Sequence, residues 1–193
     1  MWPDKAVGSS TVSFFCCNVG SISPLTGQPS VMADVVGGGT GATAFGDGID
    51  GVDTYMSNVG VMPTEVVETN YSVRVLKTEF IPGSQGLGTF NGGLGLRREY
   101  QIVGGSPAGH VLLRADPPRL RASWGQRGGD ALPTRITVIG PDGAEITGLA
   151  EKASVTLQPG TVLRVETAGG GGYGDPRARS AEAADYYRRN GRV

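Results

Sequence analysis

Histidine is nearly missing from this sequence: His110 is the only one in 193 residues. One imidazole cannot supply a pair of histidine metal ligands, and it leaves no spare base for a Ser-His-Asp triad. Its place after Pro107-Ala108-Gly109, at the start of an apolar run, suits a structural role. Cysteine is almost as scarce. Cys16 and Cys17 are adjacent, badly placed for a mutual disulfide, and two cysteines are too few for a secreted disulfide scaffold. In the run from Val12 to Cys17 they read as small buried hydrophobes in a reducing compartment. No stretch approaches the length of apolar chain that a membrane-spanning helix needs. The opening MWPDKAVGSS has no positive segment followed by an apolar core, so no signal peptide and a cytoplasmic location are expected. There is no G-x-x-x-x-G-K-[ST], hence no P-loop. A net charge of -1 argues against nucleic acid or an acidic membrane as partner.

What is abundant is glycine. It accounts for 33 of 193 residues, against an ordinary share of about 7%. With 38% hydrophobic residues a buried core is available, so the glycines are expected in tight turns between strands rich in Val, Ile, Thr and Tyr. Charge is unevenly spread. Residues 1–70 hold one Lys and seven acids, net -6, and the remainder holds sixteen bases and eleven acids, net +5. A solvated acidic loop face is the simplest account, and a cation or basic partner is the alternative.

Short strands are expected over 11–17 and 31–36, then a long glycine loop over 37–53. One or two strands over 64–81, broken near Asn70, come next. A glycine-bent stretch follows from Phe90 and enters a regular strand over Arg97–Val103. HVLLRAD and PRLRASWG read as strands on either side of Pro117-Pro118. TRITVIGPDGAEIT is a hairpin around Pro141-Asp142-Gly143. ASVTLQPGTVLRVETA repeats the pattern around Pro159-Gly160. Only the tail reads as helical, with Ser180 as cap, Glu182 early, arginines late and Gly191 as stop. The expected fold is mainly β (α+β), glycine-rich strands and hairpins with a short C-terminal helix: a single region over 1–193 whose 177–193 form a helical tail.

Several motifs point to chemistry only on first sight. Gly39, Gly41 and Ala44 fit G-x-G-x-x-A, but no helical period follows to hold a pyrophosphate. Asp47, Asp50 and Asp53 stand three apart and could offer carboxylates to Ca²⁺, yet the spacing is not that of an EF-hand, and local turn-stabilising bonds are the more ordinary account. Trp124 reads as a core or interface residue. Arg97, Arg98, Arg114, Arg119 and Arg121 read as solvated strand faces or subunit contacts, with a carboxylate site as the alternative. The run GGGGYGDP, 169–176, reads as a glycine turn followed by an Asp-Pro helix start.

Taken in order, the glycine motifs resemble the C-terminal part of the hydantoinase B/oxoprolinase family. The residues that carry the resemblance are GGGTGATAFGDGIDGVDTYMSN (37–58), PTEVVETNYSVRV (63–75), GTFNGGLGLRREY (88–100), SWGQRGGD (123–130) and KASVTLQPGTVLRVETAGGGGYGDP (152–176). The resemblance implies part of a larger hydantoinase B-like subunit in an ATP-dependent enzyme that opens a small cyclic amide, such as a hydantoin or 5-oxoproline. It implies as partners a hydantoinase A-like subunit that handles ATP, and an N-terminal hydantoinase B part that carries a divalent metal. Where the family usually has G-V-x-T-H-M-T-N, this sequence has GVDTYMSN, with Tyr55 in place of the histidine. No cofactor is therefore expected on this chain; ATP and the metal are expected on the partner or on the N-terminal part, and the chain alone is expected to be inactive. The catalytic residues stay unassigned. The loop 47–65 is expected to face the substrate, with Asp50, Tyr55, Asn58 and Glu65 as substrate-binding residues. Two alternatives stand beside this reading: a non-catalytic assembly module or truncated remnant, and part of an acetone-carboxylase-type enzyme.

Overall fold

The segment from Leu96 to Ile102 shows how this sequence makes a strand. Leu96, Arg98, Tyr100 and Ile102 turn to one side and are buried, while Arg97, Glu99 and Gln101 alternate to the other. In the computed structural model, which describes residues 5–10, 15–53, 59–104, 109–114, 128–147 and 152–192, this period of two builds nine strands. β1 (Phe15–Ile22), β2 (Pro29–Val36), β5 (Gly109–Arg114) and β8 (Lys152–Leu157) form one sheet, in the order β2-β1-β5-β8. β3 (Val73–Phe80), β4 (Leu96–Ile102), β6 (Arg135–Ile139), β7 (Glu145–Thr147) and β9 (Val162–Glu166) form the other, in the order β3-β4-β9-β6-β7. All these pairings are antiparallel. One core joins the two sheets: Val19, Met32 and Leu157 from the first meet Tyr100, Leu163 and Val165 from the second. Each such aliphatic side chain contributes about 1.5–3 kcal/mol by leaving water.

The expected hairpin forms. Gly140 N–H donates to the Ala144 carbonyl at 2.8 Å, the Asp142 carboxylate accepts from Ala144 N–H at 3.1 Å, and Gly143 supplies φ +81°. The second one does not. Pro159-Gly160 does sit between two strands, with Gly160 at φ +89°, but β8 and β9 lie in different sheets. The turn carries the chain across the core, so that Leu157 and Leu163 enter the same core from opposite sheets.

Residues 64–70 are a further correction, because they form a helix, α1 (Thr64–Asn70), and not a strand. Val66 and Val67 favour a strand by their branching, but only Val67 is buried. A helix turn lets that single side chain reach the core. Pro63 at the N-cap position and Glu65 in the first turn suit a helix start. The tail forms as expected: a 3-10 turn at Pro176–Ala178, capped by Asp175, leads to α2 (Ala181–Arg189), where the Ser180 hydroxyl accepts from Ala183 N–H at 3.2 Å. PRLRASWG lies outside the described residues.

Beyond the sheets, the glycines do something other than turn. The buried Gly169–Gly172 segment is extended, and its successive N–H groups leave in different directions. Gly169 and Gly172 donate to Leu132 and Gly129 of one segment, Gly170 to Gly93, and Gly171 to Ser9. Residues three apart thus find the same neighbour, which is the period of a polyproline-II chain and not of a strand. The same rule governs 39–42: Gly39 and Ala42 donate to Ala168 and Gly171, and Thr40 to Ile49. Because such a chain makes no bonds to itself, its peptide groups are free for lateral neighbours, and the segments pack as a bundle. Packing this close leaves no room for side chains. A methyl group at Gly170 would overlap the Thr40 carbonyl, and one at Gly92 the Gly170 carbonyl.

Candidate functional site

The acidic stretch 47–53 owes its spacing to this threefold period. Asp47-Gly48 and Asp50-Gly51 form two repeats, clipped to Asn91 and Leu94, which are also three apart. Gly48 N–H donates to the Asn91 carbonyl at 2.8 Å, while the Asp47 carboxylate accepts from Asn91 N–H at 2.8 Å. Gly51 N–H donates to the Leu94 carbonyl at 3.0 Å, and Asp50 accepts from Leu94 N–H at 2.8 Å. Asp53 ends the series and accepts from Val59 N–H at 2.9 Å. That bond joins the two ends of the stretch 54–58, and it places Asp53 at the base of the expected substrate loop.

The outer side of the repeat is covered by the tail. Arg179 makes a bidentate pair with Asp47, both bonds 2.8 Å, and Arg192 pairs with Asp50. Tyr187, the one buried residue of α2, lies between the two cations, whose guanidinium carbons stand 4.4 and 4.5 Å from its ring centre. Burial opposes the charge on Asp47, but the Arg179 bonds and the Asn91 N–H outweigh it and hold the carboxyl below its ordinary value. Burial, and next the Asp47 charge, push the Tyr187 phenol up to about 12. Its hydroxyl lies in the field of Asp47 without the alignment of a hydrogen bond.

A second polar cluster lies in the core beneath. Asp34 of β2 accepts from the Tyr100 hydroxyl at 2.7 Å and from Met62 N–H at 2.8 Å, and it stands 3.1 Å from Arg98 Nε. Arg98 in turn donates to the Met62 carbonyl at 2.7 Å. The Met62 peptide is therefore gripped at both ends by a buried ion pair, which fixes the approach to α1. Burial first, then the Asp34 charge, raises the Cys17 thiol pKa. Tyr100 is raised by burial first, then by Cys17 and the Asp34 charge, against the opposing pull of Arg98. Arg98, expected on a solvated face or at a subunit contact, is instead a core residue, with only 2% of its side chain exposed. Nothing in RREY by itself says which arginine turns inward, because the strand's register decides it.

Of the four residues expected at the substrate, Asp50 is engaged by Leu94 N–H and Arg192, and Glu65 is exposed on the first turn of α1. Tyr55 and Asn58 lie outside the described residues. Arg97, expected on a solvated face, pairs with Glu79 and Glu166, each at 2.7 Å. One small cleft, about 90 Å³, lies elsewhere, bordered by Ile81, Leu132, Pro133, Arg135 and Glu166. The described residues do not suit the divalent metal that the resemblance implies. Asp47 and Asp50 face backbone N–H groups and arginines, and among the described residues no three His, Cys, Asp or Glu side chains gather. The first half of GGGTGATA is extended and bonded laterally, with no helix among the described residues of 37–53 to cradle a phosphate.

Two antiparallel sheets with a glycine bundle at one margin define a mainly β framework, and comparison gives it a family. The chain belongs to the hydantoinase B/oxoprolinase family, whose model matches residues 1–176. It is 30% identical over 191 residues to 5-oxoprolinase PfmaA of Pestalotiopsis fici, covering 95% of this chain and 14% of that protein. Two solved structures share the fold. The ATP-dependent caprolactamase of Pseudomonas jessenii superposes with a TM-score of 0.79 at 21% identity, over 99% of this chain and 34% of the other. A nucleotide-free acetone carboxylase superposes with a TM-score of 0.71 at 15% identity, over 92% and 28%. The chain spans only 11% to 20% of the length of three curated relatives. Among the described residues no helix is long and apolar enough to cross a membrane.

Proposed function

We propose that this chain is a framework component of an ATP-dependent enzyme that hydrolyses a small cyclic amide, of the hydantoinase/5-oxoprolinase type, in the cytoplasm. The observation that carries the reading is the family match over residues 1–176. In this scheme a hydantoinase A-like partner uses ATP to activate the ring carbonyl, since an unstrained amide is a poor electrophile. An N-terminal hydantoinase B part supplies the metal, which the described donors here do not suit. The chain contributes a rigid wall to the substrate site through the loop 47–65, with Glu65 and, in the stretch 54–58, Tyr55 and Asn58 as polar contacts. Asp50 acts from behind, holding the loop's base.

The test is reconstitution. The chain, co-purified with a hydantoinase A-like subunit and an N-terminal hydantoinase B part, is expected to open hydantoin, 5-oxoproline or caprolactam with ATP consumption, and to be silent alone. A stable assembly that opens none of the three would overturn the proposal. The fold shared with acetone carboxylase favours a second reading, a carboxylase component, and turnover that requires bicarbonate would select it. An assembly that forms and never turns over any substrate would instead select a non-catalytic module.

A further inference from the structure

The contacts of α2 set it apart from the rest of the molecule. Its end and flanks are tied to the acidic repeat, and Tyr187 is its single buried residue. Ala183 and Ala184 are half-buried, and the polar hold is Arg179 on Asp47 and on the Thr89 carbonyl, Arg192 on Asp50, and Gln85 Nε2 donating to the Arg192 carbonyl at 2.8 Å. Oδ1 of Asp50 accepts the framework N–H of Leu94 while its Oδ2 meets Arg192, and Asp47 meets Arg179 through both oxygens, its Oδ1 also accepting the framework N–H of Asn91. The clips to 91 and 94 can therefore persist without the tail.

We propose that the outer face of the Asp47–Asp50 repeat is a docking surface for a guanidinium–aromatic segment, and that residues 177–192 are its resident occupant, a reversible strap. Two carboxylates one threefold repeat apart match two guanidinium groups stacked on one tyrosine ring, Arg179 and Arg192 on Tyr187. Ion pairs of this partly exposed kind weaken in salt, and an element with one buried side chain opens locally before the whole protein does. Undocking leaves the Oδ2 atoms of Asp47 and Asp50 open to another cationic group, while the bundle beneath stays closed. The inference stands apart from the proposed enzymatic role, because its test reads the chain itself and no turnover.

Hydrogen exchange on the full chain decides it. The amides of 185–189 are expected to exchange roughly a hundredfold faster than those of β4 and β9, and faster still in strong salt. Arg192→Ala or Arg179→Ala should speed exchange in 185–189 by a further factor of about ten, with Arg192→Lys in between. Gly48 and Gly51 should stay protected throughout. Exchange of 185–189 at the same rate as β4 and β9, or variants that leave it unchanged, would refute the strap. Loss of protection at Gly48 and Gly51 in the variants would equally refute it, by making the tail part of the framework. Should either alanine variant fail to fold, the salt series on the unaltered chain separates the same two outcomes: faster exchange confined to 185–189 supports the strap, and unchanged exchange there overturns it.

Discussion

The two halves of this fold solve the burial of backbone in opposite ways. In the sheets, side chains fill the space: Leu163 and Val165 of β9 pack on Tyr100 and Arg98 of β4, and the main chain bonds to two neighbours at a period of two. In the glycine bundle the side chains are removed, and the main chain bonds to three or more neighbours at a period of three. The contrast teaches where each half can change. A core can absorb a volume-conserving exchange by repacking. A bundle whose neighbours are carbonyl oxygens has nothing that can move aside.

The comparison breaks most sharply at Gly170. Gly170→Ala sets a methyl group on the Thr40 carbonyl, and a loss beyond about 4 kcal/mol is expected, seen as insoluble or unfolded protein in urea titration. Gly20→Ala is the control in the sheet: nothing lies within 4 Å of the new atom, so stability should hold or rise by up to about 1 kcal/mol. Equal behaviour of the two variants would erase the distinction. Next in size is the buried pair. Asp34→Ala or Arg98→Leu should each cost about 3–5 kcal/mol, and the double variant less than the sum, because a lone buried charge is worse than none. Leu163→Ala should cost about 2–5 kcal/mol and Leu163→Met under about 1.5 kcal/mol, both measured by the denaturation midpoint.

Smaller effects follow from the clamp at Asp47. Its carboxyl is lowered in the fold, so the stability it contributes is present above the ordinary value of 3.8 and disappears as pH falls below it. Melting temperatures of the unaltered chain and Asp47→Asn should therefore converge in acid and differ at neutral pH. Tyr187 has the opposite sign: its phenol is raised, so its contribution is intact below 10 and is lost as pH climbs toward about 12. Tyr187→Phe should lose less stability over that window than the unaltered chain does. The smallest change is expected at exposed Glu65, where Glu65→Gln should shift stability by less than about 0.5 kcal/mol. A fall in turnover of the reconstituted enzyme with no change in melting would then mark Glu65 as a site residue; a fall in both would not.

The strands, the Pro141-Asp142-Gly143 turn and the capped tail are legible in the sequence because their signals are local. Where sequence and structure part, the causes lie further off. Val66 and Val67 carry strand propensity, and only the position of the core next to Val67 makes a helix the better solution. Asp47, Asp50 and Asp53 show their period of three openly, yet the partners that explain it, Asn91 and Leu94, lie 44 residues away. The tail's helix is visible, but not that Arg179 and Arg192 return to those same carboxylates across 132 and 142 residues.

By itself, the sequence determined the β character, the short C-terminal helix and, through the order of its glycine motifs, the family. These rest on periodicity and turn chemistry, which act between neighbours in the chain. The tertiary structure alone decided which glycines touch, which arginine is buried and what the carboxylates hold. Each of those is a contact between distant segments, as when the Thr167 hydroxyl donates to the Gly37 carbonyl across 130 residues, and no local pattern encodes the partner.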